Sequence, residues 1–399
     1  MKRLLLNRNL TLLFCGQVVS QMGDSMYLIG VLWLVLELTG SKSAMGTVAA
    51  ISYLPMLVFG IPAGIVADLI DRKKVMVAAD LLRAFVVLVL PLAIFMSAVN
   101  LTIIYAVSFV LAVGATFFNP ARDAIIPHLV ARHQLIRANT LVQVSNYAAV
   151  LLGPLAAAAV IALVGLKHLF TLDALTFIVS LAAVWFIAAP SRHEPENAPQ
   201  SLRSHFIEII RYVHAHKKLR LLLALTTINN FFIMGPAIVG TPIFVKEILL
   251  QGASSYALVE SSLGVGMIVG SVLINVLGNR FSKGRILLAG LMFDGLTYAL
   301  VYLCNSLPML MALIAFHAVG IPLIVVSRTA LVQEWVESRR LGRVFSLINM
   351  AVIGTTAIAS GVTGWLAESF SVATIFGFFG LGGMLCGIVG WFYRDLRES

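Results

Sequence analysis

Residues Gly64 to Lys74 read GIVADLIDRKK. The stretch follows a long apolar run, opens on a small residue and turns abruptly to charge. Asp68 and Asp71 stand beside Arg72, Lys73 and Lys74, and apolar sequence resumes at Val75. A tight basic turn between two apolar helices marks a loop on the cytoplasmic side of a membrane, where Lys and Arg accumulate.

The rest of the chain agrees with a membrane setting. It is 60% hydrophobic and only 12% charged, with a mean hydropathy of +0.96, where a soluble domain carries roughly a quarter charged residues. The apolar runs are long enough to cross a bilayer as helices, and the short alternating segments of a transmembrane barrel are missing. The net charge of +10 is topological rather than a sign of nucleic-acid binding. Of the 28 Lys and Arg, all but Lys42, Lys167, Lys246 and the intramembrane Arg83 fall at span ends and loops assigned to one side. That asymmetry places both termini in the cytoplasm. Cys15, Cys304 and Cys386 lie far apart in apolar runs, without disulfide or metal-ligand spacing. The basic N-terminus reads as an uncleaved first span, because the apolar run is too long for a signal peptide and has no small-residue cleavage site.

Twelve spans are predicted, at about 10–38, 44–67, 75–98, 101–120, 140–164 and 168–188, then a seventh from about 219 onward, and 256–277, 286–304, 308–327, 345–367 and 372–393. Gly23-Asp24 is expected to interrupt the first span and Gly235-Pro236 the seventh. Amphipathic cytoplasmic segments follow spans 4 and 10. The only long polar stretch, 191–218, reads as a linker between halves 1–190 and 219–399.

An internal repeat supports two halves. ARDAIIPHLVARHQLIRANTL after span 4 matches SRTALVQEWVESRRLGRVFSL after span 10 at an offset of 206, which sets Arg122 on Arg328, Val130 on Val336 and Arg137 on Arg343. The opening loop matches GNRFSKGRIL at an offset near 211, setting Asp68 on Asn279, Arg72 on Lys283 and Lys74 on Arg285. Two six-span halves in parallel repeat are the architecture of the major facilitator fold. The predicted fold class is therefore an all-α membrane protein with twelve transmembrane helices in two pseudo-symmetric six-helix bundles.

The motifs resemble the same superfamily. Gly64, Asp68 and the Arg72-Lys73 pair are similar to its loop between spans 2 and 3, although Leu69 and Asp71 depart from the usual pattern there. QMGD (Gln21 to Asp24), DLLRA (Asp80 to Ala84), FNPARDAIIPHLV with the later Ala138-Asn139, and LDALTF (Leu172 to Phe177) resemble the branch of macrolide-efflux proteins, siderophore exporters and lysophospholipid transporters. The resemblance covers most of the first half and weakens in the second. It implies a cavity lined by spans 1, 4, 7 and 10, a conformational latch at the loop after span 2, a monomer, and residence in the bacterial inner membrane. Gly153-Pro154 is similar to an antiporter element of span 5.

An ionisable group within the bilayer is a functional hypothesis by default. Gln17, Gln21 and Asp24 occur at i, i+4 and i+7, on one helical face. A carboxyl there can take up and release a proton or pair with a cationic substrate. Asn229 and Asn230, ahead of the expected break in span 7, and His317, mid-span 10, are further cavity candidates. Asp80 and Arg83 are one turn apart. With Gly64, Asp68, Arg72, Lys73, Arg122 and Arg328 they form the expected latch at the cytoplasmic ends. Asp173 and Asp294 read as structural, the latter paired with a cation of the loop between spans 8 and 9. No phosphate-binding glycine loop and no His-Glu-x-x-His arrangement occurs, so neither direct ATP drive nor a metal or other cofactor is expected.

The leading expectation is a secondary active transporter, a proton-coupled antiporter exporting amphipathic drug-like molecules. Its partners are that substrate, protons and membrane lipids. The alternatives are a lysophospholipid or siderophore transporter of the same fold, a membrane enzyme, for which no catalytic cluster is found, or a non-transporting sensor, for which no added soluble domain is found.

Overall fold

A computed structural model describes residues 7–131, 134–188, 202–278 and 280–399. Asn279, most of the expected linker and the side chain of Asp68 lie outside the described residues.

Twelve helices are long and apolar enough to cross a membrane. They are α1 (Arg8–Thr39), α2 (Lys42–Leu69), α3 (Arg72–Phe95), α4 (Leu101–Leu129), α5 (Leu135–Val164) and α6 (His168–Trp185), then α7 (Lys217–Ile248), α8 (Ala253–Leu277), α9 (Lys283–Leu303), α10 (Leu307–Trp335), α11 (Ser338–Ser369) and α12 (Val372–Trp391). An amphipathic helix, Leu202–Ala215, precedes α7. The helices fall into two compact units. The first holds α1, α3 to α6, α2 from Ile51 onward and the start of α8 to Ser261. The second holds α7, α9 to α12, α8 from Ser262 onward and the first residues of α2 to Ala50.

Two sequence expectations need correction for one physical reason, and a third concerns the amphipathic segments. A bilayer core offers no water to an opened backbone, so each N–H and C=O must be met within the helix. Gly23-Asp24 therefore does not interrupt α1, which runs unbroken from Arg8 to Thr39. Gly235-Pro236 does not break α7 either: the chain passes through two π-helical stretches, Pro236–Gly240 and Phe244–Ile248, and continues. The π turns absorb the proline, which lacks an N–H. The amphipathic segments are not separate elements. The one after span 4 is shared between the end of α4 and the start of α5, and α10 runs on to Trp335.

The opening loop is built as a helix start. Asp71 caps α3, its carboxylate accepting from the backbone of Lys73 (2.9 Å) and Lys74 (3.2 Å). Ser282, at the position 211 residues later, caps α9 by accepting from Arg285 at 3.4 Å. Lys73 donates to the carbonyls of Trp185 (2.6 Å) and Ile187 (2.9 Å), where a cation meets the negative end of α6. In the second unit Ser282 donates to the carbonyl of Arg397 at 2.7 Å and the Gly284 N–H to that of Ser399 at 2.8 Å. Each unit thus ties the start of its third span to the chain beyond its sixth. A second tie is also duplicated: Arg72 hydrogen-bonds His128 at the end of α4, and Lys283 pairs with Glu334 near the end of α10 at 2.7 Å. Glu334 lies 206 residues after His128, the offset read from the sequence.

Close approach of helices rests on glycine. In α1, Gly16, Gly23 and Gly30 recur every seven residues and face α6. A methyl at Gly16 would lie 2.9 Å from that of Ala183, and one at Gly23 would collide with Thr176 and Asp173. Small residues that let backbones meet are the usual substitute for hydrophobic drive between helices in lipid.

Candidate functional site

That glycine seam sets α1 beside α6 at mid-membrane, where Asp24 follows Gly23. Asp24 and Arg83 stand at the middle of α1 and α3, and they form an ion pair. Arg83 was expected near the cytoplasmic end of its span, in a network with Asp68 and Arg72. Instead it lies about 11 residues beyond Arg72, roughly 16 Å up the helix at 1.5 Å per residue, and its partners belong to the membrane core. The Arg83 side chain is 4% exposed, whereas that of Asp24 is 47% exposed. The guanidinium also lies 3.7 Å from Asp80 and stacks over Phe177 of α6, 4.0 Å from the ring centre, a cation–π contact strengthened by desolvation.

A third carboxyl belongs to the cluster. Asp173 of α6 is fully buried and within electrostatic reach of Asp24 and Arg83. Thr176 bonds its backbone carbonyl at 2.7 Å and its Oδ1 at 3.3 Å, while its Oδ2 has no hydrogen-bond partner. The structural role expected for Asp173 thus coincides with membership of the charged site. Above it, Tyr27 bonds Ser108 at 2.8 Å and meets Phe170 edge-on.

Asp24 opens onto a cleft of about 510 Å³, lined by Gln21, Asp24, Ser25, Asn119, Arg122, Asn146, Ala149 and Val150 of α1, α4 and α5. Gln21 shares it, as the i, i+3 spacing requires, and its Oε1 has no partner. Gln17 is buried and accepts from Arg122 at 3.3 Å. Arg122, expected in the latch, therefore joins the cleft instead; its other partner is Asp123 at 2.9 Å. Asn119 and Asn146 were missed by the sequence reading, although Asn119 lies inside the quoted FNPARD motif. Gly153 lets α5 approach Ser25 of α1, which helps to shape this wall. Gly64, by contrast, faces open space.

The second-unit candidates gather elsewhere. Asn229 of α7 is buried, donates to the carbonyl of Gly383 in α12 at 3.3 Å and bonds Asp294 of α9. His317 of α10 lies 3.5 Å from Asp294, shares a 2.9 Å hydrogen bond with Thr297, and is covered by Tyr298. Asp294 pairs within the membrane and not, as expected, with a loop cation. The side chains of Asp294 and His317 are only 6% and 2% exposed. Asn230 bonds the Val352 carbonyl, Thr355 and Thr356 of α11 at 2.9–3.1 Å, fastening two helices. Arg328 forms no ion pair among the described residues. Among the described residues, the charged cluster of the first unit borders a cleft and the polar cluster of the second is buried.

A family model described as transmembrane secretion effector matches residues 5–398. Macrolide efflux protein A of Streptococcus pyogenes is 26% identical over 341 residues, 84% of this chain and 83% of the relative. Multidrug efflux pump Tap of Mycolicibacterium fortuitum is 23% identical, with 98% and 96% covered. Among solved structures, an inward-facing bacterial homologue of the iron transporter ferroportin shares the fold, with a TM-score of 0.77 at 14% identity over 99% of this chain and 100% of that one. These relatives are membrane transporters, not enzymes. The chain belongs to the major facilitator superfamily, in its transmembrane secretion effector family.

Proposed function

We propose that this transporter is a proton-coupled antiporter that exports amphipathic small molecules from a bacterial cytoplasm across the inner membrane, as a monomer with both termini cytoplasmic. Its two six-helix bundles, 1–190 and 219–399, would rock about their linker. One observation carries the reading: Asp24, half exposed in a mid-membrane cleft, is tied to a buried guanidinium that two further buried carboxyls share. With Asp24, Asp80 and Asp173 all ionised against Arg83 alone, the cluster would be doubly negative where charge is costly. It is balanced by holding protons. Asp24 is the member in contact with the cleft and is the group through which protons pass.

Protonation of Asp24 removes its charge and loosens its hold on Arg83. Deprotonation restores the pair and draws α1 against α3. A solute in the cleft meets amide groups of Gln21, Asn119 and Asn146, the cation Arg122, and the apolar wall of Ala149 and Val150. That mixture suits a molecule with dispersed polar groups on an apolar frame, consistent with the macrolide and multidrug names of the relatives. The duplicated Arg72–His128 and Lys283–Glu334 ties serve as the latch, with Gly64, Asp68 and Lys73 beside the first.

Uptake into inside-out vesicles with an imposed proton gradient, using a macrolide, a cationic dye, a siderophore and a lysophospholipid, tests the reading. The macrolide or the dye is expected to accumulate only with the gradient. Movement of the lysophospholipid alone, indifferent to the gradient, would replace drug export by lipid transport.

A further inference from the structure

Two surface clefts, one in each unit, take no part in the site above. In the first unit a hollow of about 400 Å³ is lined by Val66, Ile70, Lys74, Val75, Ala78 and Phe117, among others. In the second unit a hollow of about 480 Å³ is lined by Leu277, Phe281, Arg285, Ile286, Ala289 and Leu323, with Trp391 and Arg397 at its edge. At the offset of 211 the first five residues of each set coincide in order, and at the offset of 206 Phe117 falls on Leu323. Duplication of a six-helix unit accounts for two equivalent hollows. It does not require both to keep a cation at the same place when every other matched position is apolar.

Lys74 and Arg285 are exposed and sit in the first turn of α3 and α9, just after the caps Asp71 and Ser282. Neither forms an ion pair among the described residues. Each stands at the basic end of its span and lines its hollow. At the edge of the second hollow Arg397 lies 5.8 Å from the Trp391 ring centre and is already paired with Glu398 at 3.6 Å, and Phe281 is exposed. Aromatic rings with cations are the side chains that settle at headgroup level. A basic pocket between transmembrane helices on the cytoplasmic side is a headgroup site.

We infer that each cleft holds one phospholipid with an anionic headgroup, its acyl chain in the apolar hollow and its phosphate on Lys74 in one unit and Arg285 in the other. A free phosphate would use the cation and leave the hollow empty; a zwitterionic lipid would fill the hollow and gain little from the cation. Only an anionic lipid uses both features.

Native mass spectrometry of delipidated protein in mild detergent tests this, with added phosphatidylglycerol, phosphatidylcholine or inorganic phosphate. The wild type is expected to hold two phosphatidylglycerol molecules at concentrations where phosphatidylcholine does not bind. Lys74→Gln should weaken one site and Arg285→Gln the other, each about fivefold, the worth of one juxtamembrane cation. Ala78→Trp and Ala289→Trp, at exposed positions, fill the hollows with the charges intact and should remove the same adducts. Equal retention of both lipids by the wild type would overturn the inference, as would unchanged phosphatidylglycerol binding in the double charge variant. Displacement by inorganic phosphate, with no effect of the tryptophans, would also overturn it by reducing the sites to simple anion sites.

Discussion

Arg83→Gln is expected to abolish transport and to destabilise the protein more than loss of any other single charge. Among the described residues the guanidinium is the cation that Asp24, Asp80 and Asp173 share, and two of those carboxyls are fully buried. Removing one partner of a buried pair leaves an uncompensated charge, at a cost of about 3–5 kcal/mol. The lower end applies here, because Asp24 is half exposed and water screens it. Thermal unfolding in detergent reads the loss as a drop of several degrees, and the vesicle assay reads the loss of uptake. Arg83→Lys keeps the charge but gives up the planar contact with Phe177, and should fall between. The double variant Arg83→Gln with Asp24→Asn should regain part of the lost stability and none of the transport. Wild-type melting in Arg83→Gln would show that the carboxyls do not depend on this cation.

Gly295→Leu is expected to prevent assembly of the second unit. Gly295 is buried in α9 against α12, and a methyl placed on it would lie 2.5 Å from the carbonyl oxygen of Gly380 and 2.6 Å from the carbonyl carbon of Gly383. These are backbone atoms, which cannot swing aside as a side chain can. Overpacking a tight interior costs about 1–3 kcal/mol when neighbours can give, and more is expected here. Asp294, the adjacent residue, would be carried away from His317 and Asn229. Size-exclusion chromatography should find little monodisperse protein, with Gly295→Ala intermediate. Normal elution and melting of the leucine variant would mean that α9 and α12 do not meet backbone to backbone.

The sequence made the architecture readable because its signals are collective. Twelve apolar runs, a one-sided distribution of Lys and Arg, and two offsets linking the halves each average over many residues. The offsets aligned Arg72 with Lys283, which the structure places in equivalent ties, but the paired caps Asp71 and Ser282 emerged only from the structure. Single-residue inferences fared differently. Gly23-Asp24 and Gly235-Pro236 look like breaks by rules learned in water, but lipid demands a continuous backbone, so glycine there serves close packing and proline is absorbed in a π turn. The depth of Arg83 was misjudged because the span was counted from Val75, whereas the helix begins at Arg72 and its midpoint falls on Arg83. The choice of Asp24 as its partner depends on which face of α1 meets α3, and that follows from the glycine seam with α6. Asn229 and Asn230 share a polar look and part company for the same reason. They are neighbours on a helix and point to different helices, one to α9 and α12 and the other to α11.

Asp24 is the group we propose exchanges protons with the cleft. The most direct measurement compares wild type with Asp24→Asn in proteoliposomes, following both gradient-driven accumulation of a transported substrate and its exchange between equal concentrations without a gradient. The account predicts that Asp24→Asn folds, retains exchange and loses accumulation, since the site still binds solute but no longer trades it for a proton. Full gradient-driven accumulation by Asp24→Asn, with the pH dependence of the wild type, would contradict it.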